Sequence, residues 1–204
     1  MKRIFAFLVF CLAGLSLQAQ DRFSYSVEVV AGVGIGRGPL AAVAPQFVAE
    51  YHIGSGFSIG AGAGTRIAKP CLQYITQNGT QKRSFCQELD IPVFLRIGYG
   101  INKFYVNVDA GYAIGAISIY DAGWVPGGKK EPCYNGLFVD PHIGLKLGRH
   151  SALAVGVLLQ RSTVYDHVTT ESGDMNSGSY TITTQVTERQ LLTPAITLRY
   201  GFVF

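Results

Sequence analysis

The feature that most constrains the fold of this chain is a repeated alternation of apolar residues with polar or small ones. Each run lasts about ten residues and is followed by a turn or a polar stretch. A side-chain period of two is typical of a β-strand with one apolar face. The clearest run places five apolar residues at alternate positions: Leu89, Ile91, Val93, Leu95 and Ile97.

Eight such runs follow one another, at residues 23–35, 43–52, 57–66, 88–97, 104–115, 137–147, 153–160 and 192–204. Short turns at 53–56, 99–102 and 148–151 alternate with long polar segments at 67–87, 118–135 and 163–188, and 36–42 is a shorter member of the second set. Strands of ~9–11 residues cross a bilayer when tilted, and short turns opposite long loops are typical of outer-membrane barrels. The sequence therefore predicts an all-β, eight-stranded antiparallel up-and-down transmembrane β-barrel with both termini at the periplasmic, short-turn end.

Prolines interrupt the predicted strands at positions 45, 92, 141 and 194. Because proline has no N–H to donate to a sheet ladder, we expect bulges or local gaps at these four places.

The N-terminus has the pattern of a secretory signal. Lys2 and Arg3 precede a short apolar core at 4–15, and small Ala19 stands just before the expected cleavage point. We therefore expect residues 1–19 to be a signal peptide and 20–204 to be one barrel domain. Loss of Lys2 and Arg3 leaves 15 basic against 13 acidic residues, a balance too small to indicate nucleic-acid binding.

The identity of the polar face indicates which side of the barrel meets lipid. A soluble lipocalin-like barrel, the alternative, would turn its apolar face inward around a ligand and expose a face rich in Lys, Glu and Thr. The polar face here is mostly Gly, Ala and Ser, and only 15% of the chain is charged. We therefore expect the apolar face to contact outer-membrane lipid. The scattered charges are expected to form a lumen network of Glu28, Glu50, Arg66, Glu88, Asp90, Arg96, Asp109, Asp140, His142, Lys146 and Arg199.

The C-terminus carries aromatic residues at alternate positions, Tyr200, Phe202 and Phe204. Outer-membrane barrels commonly end in this way, and we expect the barrel-assembly machinery to read this strand. Further aromatic residues fall near the short-turn ends of the runs, where an interfacial girdle belongs: Tyr51, Phe57, Phe104 and Tyr200.

Three cysteines follow the signal segment. Cys71 and Cys86 flank one polar segment, and export to an oxidising compartment permits a disulfide between them; the alternative is that Cys71, Cys86 and Cys133 are all reduced. The sequence has no CxxC motif or Cys/His cluster that would indicate a metal site, and nothing in it indicates a cofactor.

The centre of the chain resembles a known family. Residues 89–96 read Leu-Asp-Ile-Pro-Val-Phe-Leu-Arg, followed by Gly-Tyr-Gly at 98–100 and Lys-Phe-Tyr-Val-Asn at 103–107. With Gly111 and Gly115 after it, this hairpin resembles the central signature of the PorT-like outer-membrane β-barrel family, a small barrel of the OmpA/OmpX type. The ending at 198–202 is similar to the family's last strand, whereas Asp109 stands where the family more often has a small residue. The resemblance implies an outer-membrane barrel of Gram-negative bacteria with no catalytic residues.

Three patterns that suggest chemistry are better explained by the barrel. The glycines at 32–38 lack the helix and βαβ context of a phosphate-binding loop. Asp140 and His142 share one face of a strand, which favours a lumen ion pair over a catalytic base. Asp166 and His167, with Ser162 or Ser172, could form a hydrolase site at the membrane rim, but no catalytic motif supports one.

These observations favour a non-enzymatic barrel that acts through its external loops, in adhesion, interaction or envelope structure. Aromatic loop residues suit contact with an unidentified extracellular partner, or else headgroup anchoring: Tyr74, Tyr120, Trp124, Tyr134, Tyr165 and Tyr180. An eight-stranded barrel is just filled by its side chains, which argues against a general porin. A narrow transport or secretion-accessory barrel and a membrane-embedded lipid hydrolase are the alternatives.

Overall fold

The computed structural model describes residues 22–35, 41–69, 71–77, 80–85, 87–119, 136–174 and 179–204. The expected signal peptide at 1–19 lies outside these residues and stays a prediction. The described part forms eleven strands: β1 (Phe23–Gly34), β2 (Ala42–Gly54), β3 (Phe57–Gly64), β4 (Arg66–Ala68), β5 (Cys71–Gln77), β6 (Thr80–Phe85), β7 (Gln87–Ile101), β8 (Phe104–Ile119), β9 (Gly136–Lys146), β10 (Ser151–Asp174) and β11 (Ser179–Val203).

Eight wall strands close into a barrel. Their order is β11, β1, β2, β3, β7, β8, β9, β10, and β10 pairs again with β11. β4 continues β3 beyond Thr65, since both pair with β2 and β7 and so form one wall strand. All pairings within this wall are antiparallel. The predicted fold, an eight-stranded up-and-down barrel, is confirmed. No helix in the described part of the chain is long and apolar enough to cross a membrane.

The two faces of the wall are chemically opposite. The outward Leu95 is 69% exposed, and its neighbours Ile91 and Val93 also point outward, whereas the inward Val48 and Asp109 are 0% exposed. Soluble monomers rarely expose a contiguous apolar patch of more than a few hundred Å². An apolar face that continues around the wall suits contact with lipid, as the composition of the polar face predicts.

The prolines act on the ladders as expected at three of the four places. Residue pairs are missing beside Pro45, Pro92 and Pro141, and pairing resumes beyond each gap in the same register. At Pro194 the ladder to β10 is unbroken. The Pro194 carbonyl accepts a hydrogen bond from the Ile35 N–H at 2.9 Å, so the backbone of Pro194 faces β1, where that ladder ends.

Two segments predicted as long loops are largely strands, which corrects the sequence analysis. Most of 67–87 forms the hairpin of β5 and β6, and most of 163–188 continues β10 and β11. These segments are rich in Thr, Val, Tyr and Ile, which favour strands, but polar residues occupy both sequence parities. A search for one apolar face therefore misses them.

Candidate functional site

The lumen brings together charges that are far apart in the sequence. Because side chains alternate across each strand, Glu28 of β1, Arg96 of β7, Asp109 of β8 and Arg199 of β11 all face inward. Arg96 and Asp109 are direct cross-strand partners. Glu28 and Arg199 are 171 residues apart, yet they meet because β11 closes the barrel against β1.

Arg96 is the first of two buried guanidinium groups that hold these carboxylates. Its Nη1 lies 2.6 Å from Glu28 Oε1, and its Nε lies 2.6 Å from Asp109 Oδ1. Both pairs have a second contact, from Nη2 to the other carboxylate oxygen at 2.9 Å. Glu50 is held more loosely, with its Oε1 3.4 Å from Arg96 Nη1. Such forked contacts are the strong form of ion pair.

Arg199 joins the same carboxylates from the other side. Its Nη1 lies 3.1 Å from Glu28 and 3.0 Å from Asp109, and its Nη2 lies 2.5 Å from Asp140. We call the resulting group the central ion cluster: Glu28, Glu50, Arg96, Asp109, Asp140 and Arg199. Burying charge is costly unless partners and hydrogen bonds compensate, and here two guanidinium groups serve four carboxylates.

A second ion pair lies nearer the long-loop end. Arg66 of β4 contacts Asp90 of β7 through Nε at 3.0 Å and Nη2 at 2.8 Å, and the two residues are register partners. The carboxylate of Glu88 is buried on the same face of β7.

A group of buried apolar side chains lies next to both charged regions. We call it the apolar plug, and its members are Val48, Phe94, Ala113, Phe138, Leu158 and Ala195. The Phe94 and Phe138 rings meet edge to face with centroids 6.2 Å apart. Gly62 makes room for this packing, because a Cβ at that position would collide with the Phe94 ring. Beside the plug lies a small cavity of about 30 Å³, which Arg66, Asp109 and Arg199 also line.

Of the other residues expected in the lumen network, two lie at its edge. His142 places Nδ1 3.1 Å from the backbone oxygen of Asp140, so it touches the cluster without an ion pair among the described contacts. Lys146 is exposed and lines a cavity of about 240 Å³ at the short-turn end, which we call the mouth cavity.

Several functional neighbours of the cluster were missed by the sequence analysis. Gln46 donates to Glu28 at 2.9 Å, and Thr197 donates to Asp140 at 3.4 Å. Tyr105 points into the lumen edge-on to the His142 ring, with centroids 6.4 Å apart. Phe94 and Phe138 share the parity of the charged residues in their strands, and this signal could have revealed the plug.

The C-terminal aromatic residues Tyr200, Phe202 and Phe204 point outward, and the last two rings meet with centroids 5.2 Å apart. At the short-turn end Phe57 packs on Tyr99 at 4.6 Å. These placements describe the aromatic residues but do not test an assembly role.

Several predictions fall on parts of the chain that the structure does not describe. Cys86 and Cys133 are outside it, as is the side chain of Cys71, so the disulfide stays a prediction. The same holds for the side chains of Ser162, Asp166, His167 and Ser172 and for the loop aromatic residues. The described residues contain no group of three His, Cys, Asp or Glu side chains arranged to hold a metal ion.

Comparisons with known proteins find structures but no sequence relatives. No family model matches the chain, so the PorT-like resemblance stays a prediction, and no curated protein matches it. The crystal structure of the outer membrane protein OprG from Pseudomonas aeruginosa is 10% identical with a TM-score of 0.49, over 90% of this chain and 96% of that one. The solid-state NMR structure of the outer membrane protein AlkL in DMPC lipid bilayers is 14% identical with a TM-score of 0.46, over 90% of each chain.

Proposed function

We propose that this protein is a non-enzymatic outer-membrane barrel with a closed lumen that acts through a sheet extending beyond the barrel at its long-loop end. The observation that carries this proposal is the length of β10 and β11. Their ladder continues to the pair Asp174↔Ser179, well past Gln160, where the described pairing of β10 with β9 ends.

Four strands form this extension. Residues 165–168 of β10 pair in parallel with 73–76 of β5, and β5 pairs with β6. We call four segments together the outer sheet: β5, β6, residues 161–174 of β10 and residues 179–194 of β11. At about 3.3 Å per residue, 14 residues of β10 reach roughly 45 Å along the strand. A paired sheet presents a defined surface to a partner, unlike a set of separate loops.

The β11 edge of the outer sheet favours recognition by strand addition. Because the backbone of Pro194 faces the β1 side, the other even-numbered residues of 180–192 also direct their backbone groups away from β10. Within the described part of the chain, 179–193 pairs on the β10 side alone. An extended polypeptide segment of a partner protein would add to such an edge through main-chain hydrogen bonds.

The wall supports the proposed location in the outer membrane. Its apolar face suits lipid as a partner, and its interior has no room for a general pore, since the apolar plug and the central ion cluster fill successive levels. Transport through the lumen would require both layers to move.

A proline at an even-numbered position of β11 tests the function. Gln190→Pro removes a backbone donor from the edge without removing one from the β10 ladder, and Gln190→Thr is the matched control that keeps the donor. Cells that display the protein would be scored for aggregation with one another and for adhesion to immobilised matrix proteins and polysaccharides. We expect Gln190→Pro to lose the binding that the wild type and Gln190→Thr share, while all three proteins keep the faster gel migration of an unboiled folded barrel. Equal binding by all three, or no binding by the wild type, would contradict the proposal.

A further inference from the structure

The mouth cavity has the size and depth of a small-ligand site. It opens at the short-turn end, and Glu28, Arg96 and Arg199 of the central ion cluster line it from within. Its volume of about 240 Å³ exceeds the ~150 Å³ of an engineered cavity that holds benzene. Unlike that cavity, this one is lined by many polar side chains, which are the groups that orient a bound ligand.

Two carboxylates of the cluster that line or back this cavity, Glu28 and Asp109, each accept several hydrogen bonds. Glu28 accepts hydrogen bonds from Arg96, Arg199 and Gln46. Asp109 is bonded to both arginines through its two oxygens. Glu28 and Asp109 therefore offer a ligand few free lone pairs.

Donors, by contrast, are left over. Arg199 is 4% exposed, and its Nε has no hydrogen-bond partner. Lys146 and Arg149 line the wall of the cavity without an acidic partner among the described residues. The Nε of Arg199 is closed off from the cavity, so Lys146 and Arg149 are the cationic donors that a ligand acceptor would meet.

The wall strands position these donors. Tyr105 is the register partner of Gly144, and a Cβ at Gly144 would collide with the Tyr105 ring and its hydroxyl group. The glycine therefore lets the ring lie across β9, where it borders the cavity next to His142. Lys146 follows Gly144 on the inward face of β9, one inward position nearer the opening.

We propose that the mouth cavity binds a small solute through an oxyanion group, a carboxylate or a phosphate, with Lys146, Arg149 and Tyr105 as donors. Lys146 and Arg149 line the cavity without an acidic partner among the described residues, and two such cations favour an anion. Glu50 is the exception, because it is held by a single contact at 3.4 Å and stands on β2, four wall strands away from β9. Its negative charge repels the bound anion from the other side of the cavity and so disfavours solutes of high negative charge.

Binding by the purified full-length barrel in a sugar-headgroup detergent tests this proposal, because no lipid phosphate is then present. Inorganic phosphate and acetate would be titrated at constant ionic strength and followed by NMR shifts of the Tyr105 and His142 rings. We expect saturable shifts with a Kd in the millimolar range. Lys146→Gln and Arg149→Gln are each expected to raise Kd about threefold, whereas Glu50→Gln lowers it about threefold.

Lys103→Gln is the matched control, because Lys103 lies at the same end of the barrel but does not line the cavity. It is expected to leave Kd unchanged. A Kd that rises equally in Lys103→Gln would indicate general charge attraction and overturn the proposal. Weaker binding of phosphate by Glu50→Gln would show that Glu50 does not repel the bound anion and would also overturn the proposal. Shifts that appear only after anionic phospholipid is added would assign the donors to headgroups and rule out a soluble ligand.

Discussion

The barrel wall and the outer sheet are built from the same two long strands, yet they follow different rules. Within the wall, β10 and β11 show one apolar and one polar or small face, and their neighbours close around them. Beyond Gln160 the sequence is polar at both parities, and β10 exchanges its partner β9 for the short strand β5. The difference shows that lipid and a packed lumen impose the alternation, and that the strands lose it where neither is present.

The comparison also separates stability from recognition. Buried charges in the wall depend on two shared guanidinium groups, so changes there are expected to be costly. Backbone groups at the β11 edge of the outer sheet have no ladder partner among the described residues, so we expect changes there to alter binding and leave the barrel intact. The following predictions rank these effects from the largest to the smallest.

Removing a cluster arginine should produce the largest loss of stability. Arg96→Met removes one of the two guanidinium groups that Glu28 and Asp109 share, and breaking a buried ion pair costs about 3–5 kcal/mol. Arg96→Lys keeps the charge but loses the paired contacts of the guanidinium group. Its free energy of unfolding should lie between those of Arg96→Met and the wild type. Urea unfolding from detergent micelles measures the series, and a loss below about 1 kcal/mol for Arg96→Met would show that the cluster is not structural.

A charge on the lipid face should cost nearly as much. Leu95→Arg places a cation on an outward position in the middle of β7, where such changes cost about 2–4 kcal/mol in a bilayer. Thr187→Arg puts the same side chain on the outer sheet, where a surface substitution is worth about 0.5 kcal/mol or less. Unfolding in lipid vesicles compares the two variants. Equal effects would mean that the wall and the outer sheet meet the same solvent.

Filling the glycine beside the plug should have an intermediate effect. Gly62→Ala forces its Cβ against the Phe94 ring, and overpacking of this kind costs about 1–3 kcal/mol. Gly32→Ala is the control, since a Cβ there meets neighbours at 3.6 Å or more. The double variant Gly62→Ala with Phe94→Leu should recover part of the lost free energy of unfolding. If the effects of the two changes simply add, the Cβ at position 62 does not press on the Phe94 ring, and the proposed packing of the plug is wrong.

Trimming the outer sheet should have the smallest effect on the barrel. Replacing 165–188 by a short turn is expected to change the free energy of unfolding of the wall by about 1 kcal/mol or less, since locally stable units open independently. Hydrogen exchange of the intact protein should show the outer-sheet amides exchanging before those of β7 and β8. A trimmed protein that no longer folds would show that the two regions are one cooperative unit.

The wall could be predicted from the sequence because its physical cause is local. Successive side chains of a wall strand face lipid and the narrow lumen in turn. The number of strands and the shared face of residues such as Leu95 can therefore be predicted from whether apolar residues fall at every second position. The partners of the charges could not be predicted, because barrel closure sets them: Glu28 reaches Arg199 only across the seam between β1 and β11. The apolar plug was missed because Phe94 lies between Val93 and Leu95, where both parities are apolar.

The central claim is that the lumen is sealed and that the outer sheet, not the lumen, carries the function. Single-channel recording in planar bilayers tests this claim most directly. The account predicts that the purified wild-type protein inserts without steady unitary currents, because Phe94, Phe138 and the central ion cluster occupy the lumen. Stable, discrete openings of the folded wild-type barrel would contradict it.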